Sequence, residues 1–425
     1  MALSAHTALS MVFCDAEGRL YDHPELGMVG ASGTAWRPAR LRETIPLPDG
    51  AAIVSMPGRH AVGWDPAAGQ FEAVDAVPDI GGVCAAAAVL PPAYLRTLLP
   101  AQVRPDGAPP LPLLGYAAVG WADEKFRVAA FRLDRRRRWD PEHYDTADLG
   151  TLINETLAAL PDNRIVAQLA RCSAEYHCYT AQNLFYGRWE AGVPVSPVCN
   201  ARCVGCISLQ PAECCPSPQE RIAFEPTVEE IEAVLVHHLA SARDAIASFG
   251  QGCEGEPLLR ADLIAEAVAR ARRRTRRGTV NINTNGSRPE VIDALADAGI
   301  DSLRVSLASA DPARYDAYHR PVGYGLGDVE ATVARARARG LWVAANVLAF
   351  PGITDAEDEA RALIDFVRRH DIHAVQMRNL NLDPDELPVA FRPAGEAMGV
   401  RDLVRALRRE LPGVSIDSFN RPMGS

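Results

Sequence analysis

The stretch VPVSPVCNARCVGC, residues 193–206, decides the fold. Its first half, 193–198, is apolar and valine-rich and reads as a strand. Its second half gathers Cys199, Cys203 and Cys206 in C-x3-C-x2-C spacing, so the strand runs straight into a loop of thiols. From here onward strands alternate with helices. Hydrophobic spacing predicts helices over 227–242, 258–273, 288–298, within 311–338, 355–370 and 399–411. Strands fall between them at 244–250, 279–284, 301–308, 341–349 and 373–380, with a further short strand at 413–418. Thr227 with Glu230, and Thr354 with Glu357, read as capping boxes, and Pro289 and Gly299 bracket one helix. Six β-then-α units imply an α/β fold, an incomplete (βα)6 TIM-like barrel whose functional groups sit on loops after the strands' C-terminal ends.

The thiols carry the chemistry. Eight of the ten cysteines lie between 172 and 253. A chain of 425 residues with no recognisable signal segment does not need disulfide staples, so the clustering favours a metal site. Three thiolates on one short loop suit three irons of a [4Fe–4S] cube and leave one iron open. A structural zinc site, which normally closes with four ligands, is the competing reading. Cys172, Cys178, Cys214, Cys215 and Cys253 read as ordinary thiols or as ligands of a second cluster.

Three further motifs follow in order. The loop after the second strand reads GCEGEP (252–257), the third strand runs into NTNG (283–286), and the fourth carries Ser306 within RVSLAS (304–309). With the cysteine loop they resemble the motifs of radical S-adenosylmethionine (SAM) enzymes, subgroup unassigned, over about 193–380. The resemblance implies a [4Fe–4S] cluster held by Cys199, Cys203 and Cys206. It implies SAM held by Gly255, Glu256, Pro257, Asn283, Thr284, Ser306 and Arg320. Glu256 would accept from the SAM amino group, Gly255 would let backbone approach, and Pro257 would start the next helix. Each has a plainer reading: a loop carboxylate for Glu256, sheet-satisfying polar groups for Asn283, Thr284 and Ser306, a surface salt bridge for Arg320. Two departures stand out. Gly205 occupies a position often aromatic in the family, and Glu254 puts a second carboxylate beside the expected SAM site. Reductive cleavage of SAM to a 5′-deoxyadenosyl radical, hydrogen abstraction from substrate, and a flavodoxin or ferredoxin-type electron donor are what the resemblance implies. Arg378, Asn379 and Asn381, in the polar end of strand six, are candidate substrate contacts.

The rest of the chain divides as 1–150, a β-rich or α+β domain; 151–192, a helical linker; 193–382, the barrel; and 383–425, an extension with a helix and a possible strand. In the first region 51–56, 60–65, 113–121 and 126–133 read as strands, and 91–99 as a short helix. No apolar run approaches the roughly 18 residues of a membrane span, so a soluble cytoplasmic protein is expected. A net charge of −10 argues against DNA or an RNA coat. Lys125 is the single lysine beside 43 arginines, so arginine runs such as 270–277 are discounted as binding sites. A small-molecule or cofactor-precursor substrate is favoured over a peptide, protein or tRNA. An iron–sulfur electron carrier and a zinc-stabilised interaction protein are the alternatives of other classes.

Overall fold

The computed structural model describes residues 9–209, 219–393 and 395–423; Cys214 and Cys215 lie outside the described residues. The N-terminal region is an antiparallel assembly. Ser10–Asp15 pairs with Leu20–Ser32, with the alanine-rich Gly81–Val89 and with Val119–Ala122. The helix expected over 91–99 is instead two short strands, Tyr94–Arg96 and Leu99–Pro100. They pair with Ala130–Arg132 and with Leu20–Ser32, long-range partners that outweigh local propensity. Helices Leu149–Ala159, Arg164–Ala174 and Tyr179–Phe185 follow.

The remainder is a curled, wholly parallel sheet in sequence order: β1 (Arg188–Gly192), β2 (Arg243–Phe249), β3 (Thr279–Thr284), β4 (Ser302–Leu307), β5 (Trp342–Ala349), β6 (Ala374–Asn379) and β7 (Ser415–Asp417). Six units of strand then helix close it with a seventh strand. The helices are α1 (Val228–Ser241), α2 (Ala261–Arg274), α3 (Ile292–Ala298), α4 (Pro312–His319), α5 (Leu326–Ala338), α6 (Glu357–Arg369) and α7 (Val400–Glu410). The first strand lies five residues earlier than expected. Pro194 and Pro197 have no N–H to give a ladder, so 193–198 continues as extended chain after β1. The Thr227–Glu230 capping box forms. The second does not, because the Thr354 hydroxyl donates to the Leu348 carbonyl and accepts from the Phe350 N–H, while Ala356 caps α6.

Alternation along the strands sets the site. Leu303, Val305 and Leu307 of β4, and Val343, Ala345 and Val347 of β5, join one core with the helices. Each fully buried Val or Leu there contributes roughly 1.5–3 kcal/mol. Their odd–even neighbours, among them Asn281, Asn283, Arg304, Ser306, Asn346, Gln376 and Arg378, face the barrel interior. The N-terminal region is fastened over the β5–β6 side of this barrel. Fully buried Arg59 pairs with Asp383 at 2.8 Å, and buried Arg96 donates to the carbonyls of Tyr116 and Leu380.

Candidate functional site

The cysteine loop is held by backbone on two sides. Arg202 N–H and Val204 N–H donate to the carbonyls of His319 and Tyr318 at the end of α4, and Val322 N–H donates to Asn200. Upstream, Gly255 N–H and Glu256 N–H donate to the carbonyls of Ser196 and Val198. The GCEGEP loop thus runs beside the approach to the cysteines. A Cβ on Gly255 would lie 2.0 Å from the Val198 carbonyl oxygen, so glycine is required by this contact with the chain's own backbone. Gly205 has a similar cause. A Cβ there would lie 2.8 Å from the Tyr318 hydroxyl and from the Asn381 carbonyl oxygen, so the aromatic ring beside this loop comes from α4.

All three sulfurs are half-buried, and donors face two of them. His319 Nδ1 lies 3.3 Å from Cys203 Sγ, and its Nε2 accepts from the Ala308 N–H at 3.2 Å. That acceptor role leaves the ring proton on Nδ1, pointing at the sulfur. Burial holds the imidazole down to about 3, so the ring is neutral. Arg221 Nη2 reaches Cys206 Sγ at 3.6 Å. Burial raises the Cys199 thiol, and raises Cys203 further with help from the neighbouring thiols. Such thiols ionise only when a metal supplies positive charge, and donors then stabilise the thiolates. The donor set fits an iron–sulfur cluster. Among the described residues, no three His, Cys, Asp or Glu side chains converge on the space of one metal ion.

The two carboxylates of GCEGEP face opposite ways. Glu254 is buried and accepts from the N–H groups of Val195 (2.8 Å), Ser196 (3.0 Å) and Gly250. It clips the chain after β1 to the β2 loop. Glu256 accepts from Thr284 Oγ1 (2.5 Å), Leu258 N–H (2.9 Å) and Asn285 N–H (2.8 Å). It ties the second loop to the third. Burial outweighs these bonds in both, pushing Glu254 up to about 8 and Glu256 up to about 7. Asn285 carries the tie onward, donating from Nδ2 to Asn200 Oδ1 in the cysteine loop at 2.8 Å.

The comparisons bear on this arrangement. The family model described as the Radical SAM superfamily matches residues 193–364, the span holding the cysteine loop, GCEGEP, NTNG and Ser306. This part of the chain belongs to the radical SAM superfamily. Its members use a [4Fe–4S] cluster and SAM. The chain is 30% identical over 215 residues to GTP 3′,8-cyclase 2 of Mycobacterium bovis, covering 47% of this chain and 56% of that one. It is 29% identical over 170 residues to GTP 3′,8-cyclase of Corynebacterium glutamicum, covering 39% and 42%. It therefore spans about half the length of the curated relatives it matches. Among solved structures, SuiB of Streptococcus suis shares 11% identity over 74% of this chain and 72% of that one, at a TM-score of 0.39.

The radical SAM domain brings Cys199, Cys203, Cys206, Gly255, Glu256, Pro257 and Thr284 into one connected cluster of loops. Pro257 opens a 3-10 turn that leads into α2. Thr284 Oγ1 donates to Glu256 and accepts from Gly286 N–H. Asn283 spends its amide on the Phe249 carbonyl and on Asn281. Ser306 is half-buried on the barrel's inner face beside Asn346 of β5. Arg320 is exposed in a left-handed conformation (φ 46°) after α4, and no ion pair ties its side chain among the described residues. Of the polar trio at the end of β6, Asn379 accepts from the Arg96 N–H and donates to the Tyr94 carbonyl, fastening the N-terminal region. Asn381 lies against Gly115 and Gly205. Arg378 instead lines a cavity of about 440 Å³ with Glu190, Gln251, Phe419 and Ile207, the residue after Cys206. Sequence reasoning missed His319, Arg304 and Glu190. The alternation of charge with apolar residues in β4 was the available signal for Arg304; His319 gave none.

Proposed function

We propose that the chain is a radical SAM enzyme in which Cys199, Cys203 and Cys206 hold a [4Fe–4S] cluster and the GCEGEP and NTNG loops receive SAM. The observation that carries this reading is the cysteine loop at the sheet's C-terminal end. There donors face two of its sulfurs, and Glu256 and Asn285 bind it to the neighbouring loops. Bound together, cluster and SAM supply a radical able to abstract hydrogen from an unactivated carbon. The chain's own residues position and shield. His319 and Arg221 direct N–H groups at sulfur, Glu256 presents a carboxylate edge, and Ser306 offers a hydroxyl at the inner wall. The N-terminal region, fastened through Arg59, Arg96 and Asn379, covers one side of the barrel mouth and limits water there. Arg378 faces the substrate. Relatives named for a cyclase acting on GTP support a small-molecule substrate, and a flavodoxin or ferredoxin-type protein is the expected donor.

Anaerobic reconstitution with iron and sulfide, then dithionite and SAM, tests the reading. It should yield 5′-deoxyadenosine, and Cys203→Ala should abolish the product. A protein that takes up only zinc, or loads a cluster yet never cleaves SAM, refutes it.

A further inference from the structure

Two arginines in the barrel interior each bury a guanidinium nitrogen that has no hydrogen-bond partner. Arg304, on β4, is 8% exposed, its Nη1 is buried without a hydrogen-bond partner, and no ion pair involves its side chain among the described residues. Arg378, on β6, has a buried Nε in the same condition. Both belong to the inward-facing set, with only β5 between their strands. Arg304 feels the charge of Arg378: burial first, and Arg378 second, pull it down to about 9, with Glu190 opposing. Burial likewise lowers Arg378, against Glu190 and Asp417.

The available anions do not balance them. Glu190 Oε1 already accepts from Ser248, Gln251 and Asn420, and its carboxylate makes no ion pair with either arginine. Asp417 pairs with Arg136 and Arg421. Buried Arg304 and half-buried Arg378 therefore have no ion pair of their own and leave an excess of positive charge. An uncompensated buried charge is costly, and guanidinium is the side chain best shaped to pair with a planar carboxylate or a phosphate. The charge at Arg378 is not walled off. Arg378 opens on the 440 Å³ cavity, its guanidinium 5.6 Å from the Phe419 ring, and the same cavity reaches Ile207 beside the cysteine loop.

We propose that Arg304 and Arg378 form an oxyanion subsite that fixes a carboxylate or phosphate group of the substrate inside the barrel. This rests on the reading of the barrel mouth as the reaction site. It extends that reading by naming the substrate as an anion held at β4 and β6, with its reacting part directed along the cavity toward the cysteine loop.

The experiment titrates the anaerobically purified full chain with sodium pyrophosphate and, separately, sodium succinate, at ionic strength matched with sodium chloride. One class of anion should bind saturably at one site. Arg304→Gln and Arg378→Gln should each weaken that binding by about tenfold or more. Arg405→Gln, on an exposed face of α7, should bind as wild type. Pyrophosphate binding assigns a phosphorylated substrate, and succinate binding assigns a carboxylate. Melting without anion supplies a second readout. Each Gln variant should melt no lower than wild type, since an unpaired buried charge has been removed, whereas an arginine with a merely structural role would lower the melting point. Binding of neither anion, binding unchanged in both variants, or lower melting of both variants overturns the subsite. Wild type that forms 5′-deoxyadenosine but binds neither anion removes the subsite alone. Wild type that binds one anion but never cleaves SAM removes the enzymatic reading and leaves an anion site.

Discussion

Replacing Glu256 by Gln tests the SAM loop at the atom that matters. In the native chain Oε1 accepts from Thr284 Oγ1 and Leu258 N–H, and Oε2 accepts from Asn285 N–H. A Gln amide keeps only one oxygen. Whichever way it is turned, its NH2 group meets a backbone N–H of Asn285 or Leu258. One charge-assisted bond is lost, worth about 1.5–3 kcal/mol, and a buried donor is left unpaired. If Glu256 also accepts from the SAM amino group, that loss reports directly in affinity, weakening SAM by roughly ten- to hundredfold. The cluster should load normally. The cysteine loop keeps its bonds to His319, Tyr318 and Val322, none of which passes through Glu256. Anaerobic calorimetry with SAM, beside iron and sulfide content, separates the two effects. Unchanged SAM affinity in a folded, cluster-loaded variant would refute the role. Cluster loss in parallel with SAM loss would show that Glu256 supports the whole loop assembly instead.

Other expectations follow from single contacts. His319→Phe removes the Nδ1–H donor to Cys203, a bond that stabilises the more negative cluster state, so the reduction potential should fall. The drop should be on the order of 50 mV in a redox titration followed by EPR, and an unchanged potential would discard the bond. Glu254 has a folded pKa raised to about 8 over an ordinary 4.5, so its contribution to stability is complete below about pH 4.5 and is lost as pH rises through about 8. Denaturation between about pH 6 and pH 8 should therefore show wild type losing on the order of 1–3 kcal/mol relative to Glu254→Gln; parallel curves would contradict this. Arg59→Met strands Asp383, whose side chain is 1% exposed, and should cost about 3–5 kcal/mol in chemical denaturation. A loss under about 1 kcal/mol would mean the pair does not fasten the N-terminal region.

The sheet was legible because its signals are local. Apolar runs of five to eight residues separated by amphipathic helices need no tertiary knowledge, and β3 falls where its spacing predicts, at Thr279–Thr284. The misreadings have tertiary causes. β1 is five residues, RWEAG, with Glu190 buried in mid-strand; no periodicity suggests a strand there, and the valines of 193–198 drew the assignment onward. Thr354 and Glu357 have capping spacing, but the threonine hydroxyl is claimed by the end of β5. The site splits the same way. The motif residues were legible as residue types, yet Glu254 shows its role only once Val195, Ser196 and Gly250 stand around it. Asn379 looked like a substrate contact because strand-end polar groups face the mouth, and what it meets there is the backbone of the N-terminal region.

That region has a second consequence for the barrel. Its contacts concentrate on the loops after β5 and β6: Gly33 N–H donates to the Pro351 carbonyl at 2.9 Å, and Gly33 and Gly352 touch backbone to backbone, both with positive φ. A Cβ on Gly352 would lie 1.8 Å from Gly33 N, so the contact requires glycine at 352. The cysteine loop is anchored on the other side, to α4 and to the β2 and β3 loops. Between the two anchored sides lies the polar interior with Ser306, Asn346, Arg304 and Arg378. Of these, Arg378 lines the cavity, beside Glu190 and Gln251, whereas Glu254, Glu256, Asn283, Thr284 and Asn379 are already bonded within the chain. On the proposed reading, the inner faces of β4, β5 and β6 set specificity, while the motif loops hold one another in place and receive SAM.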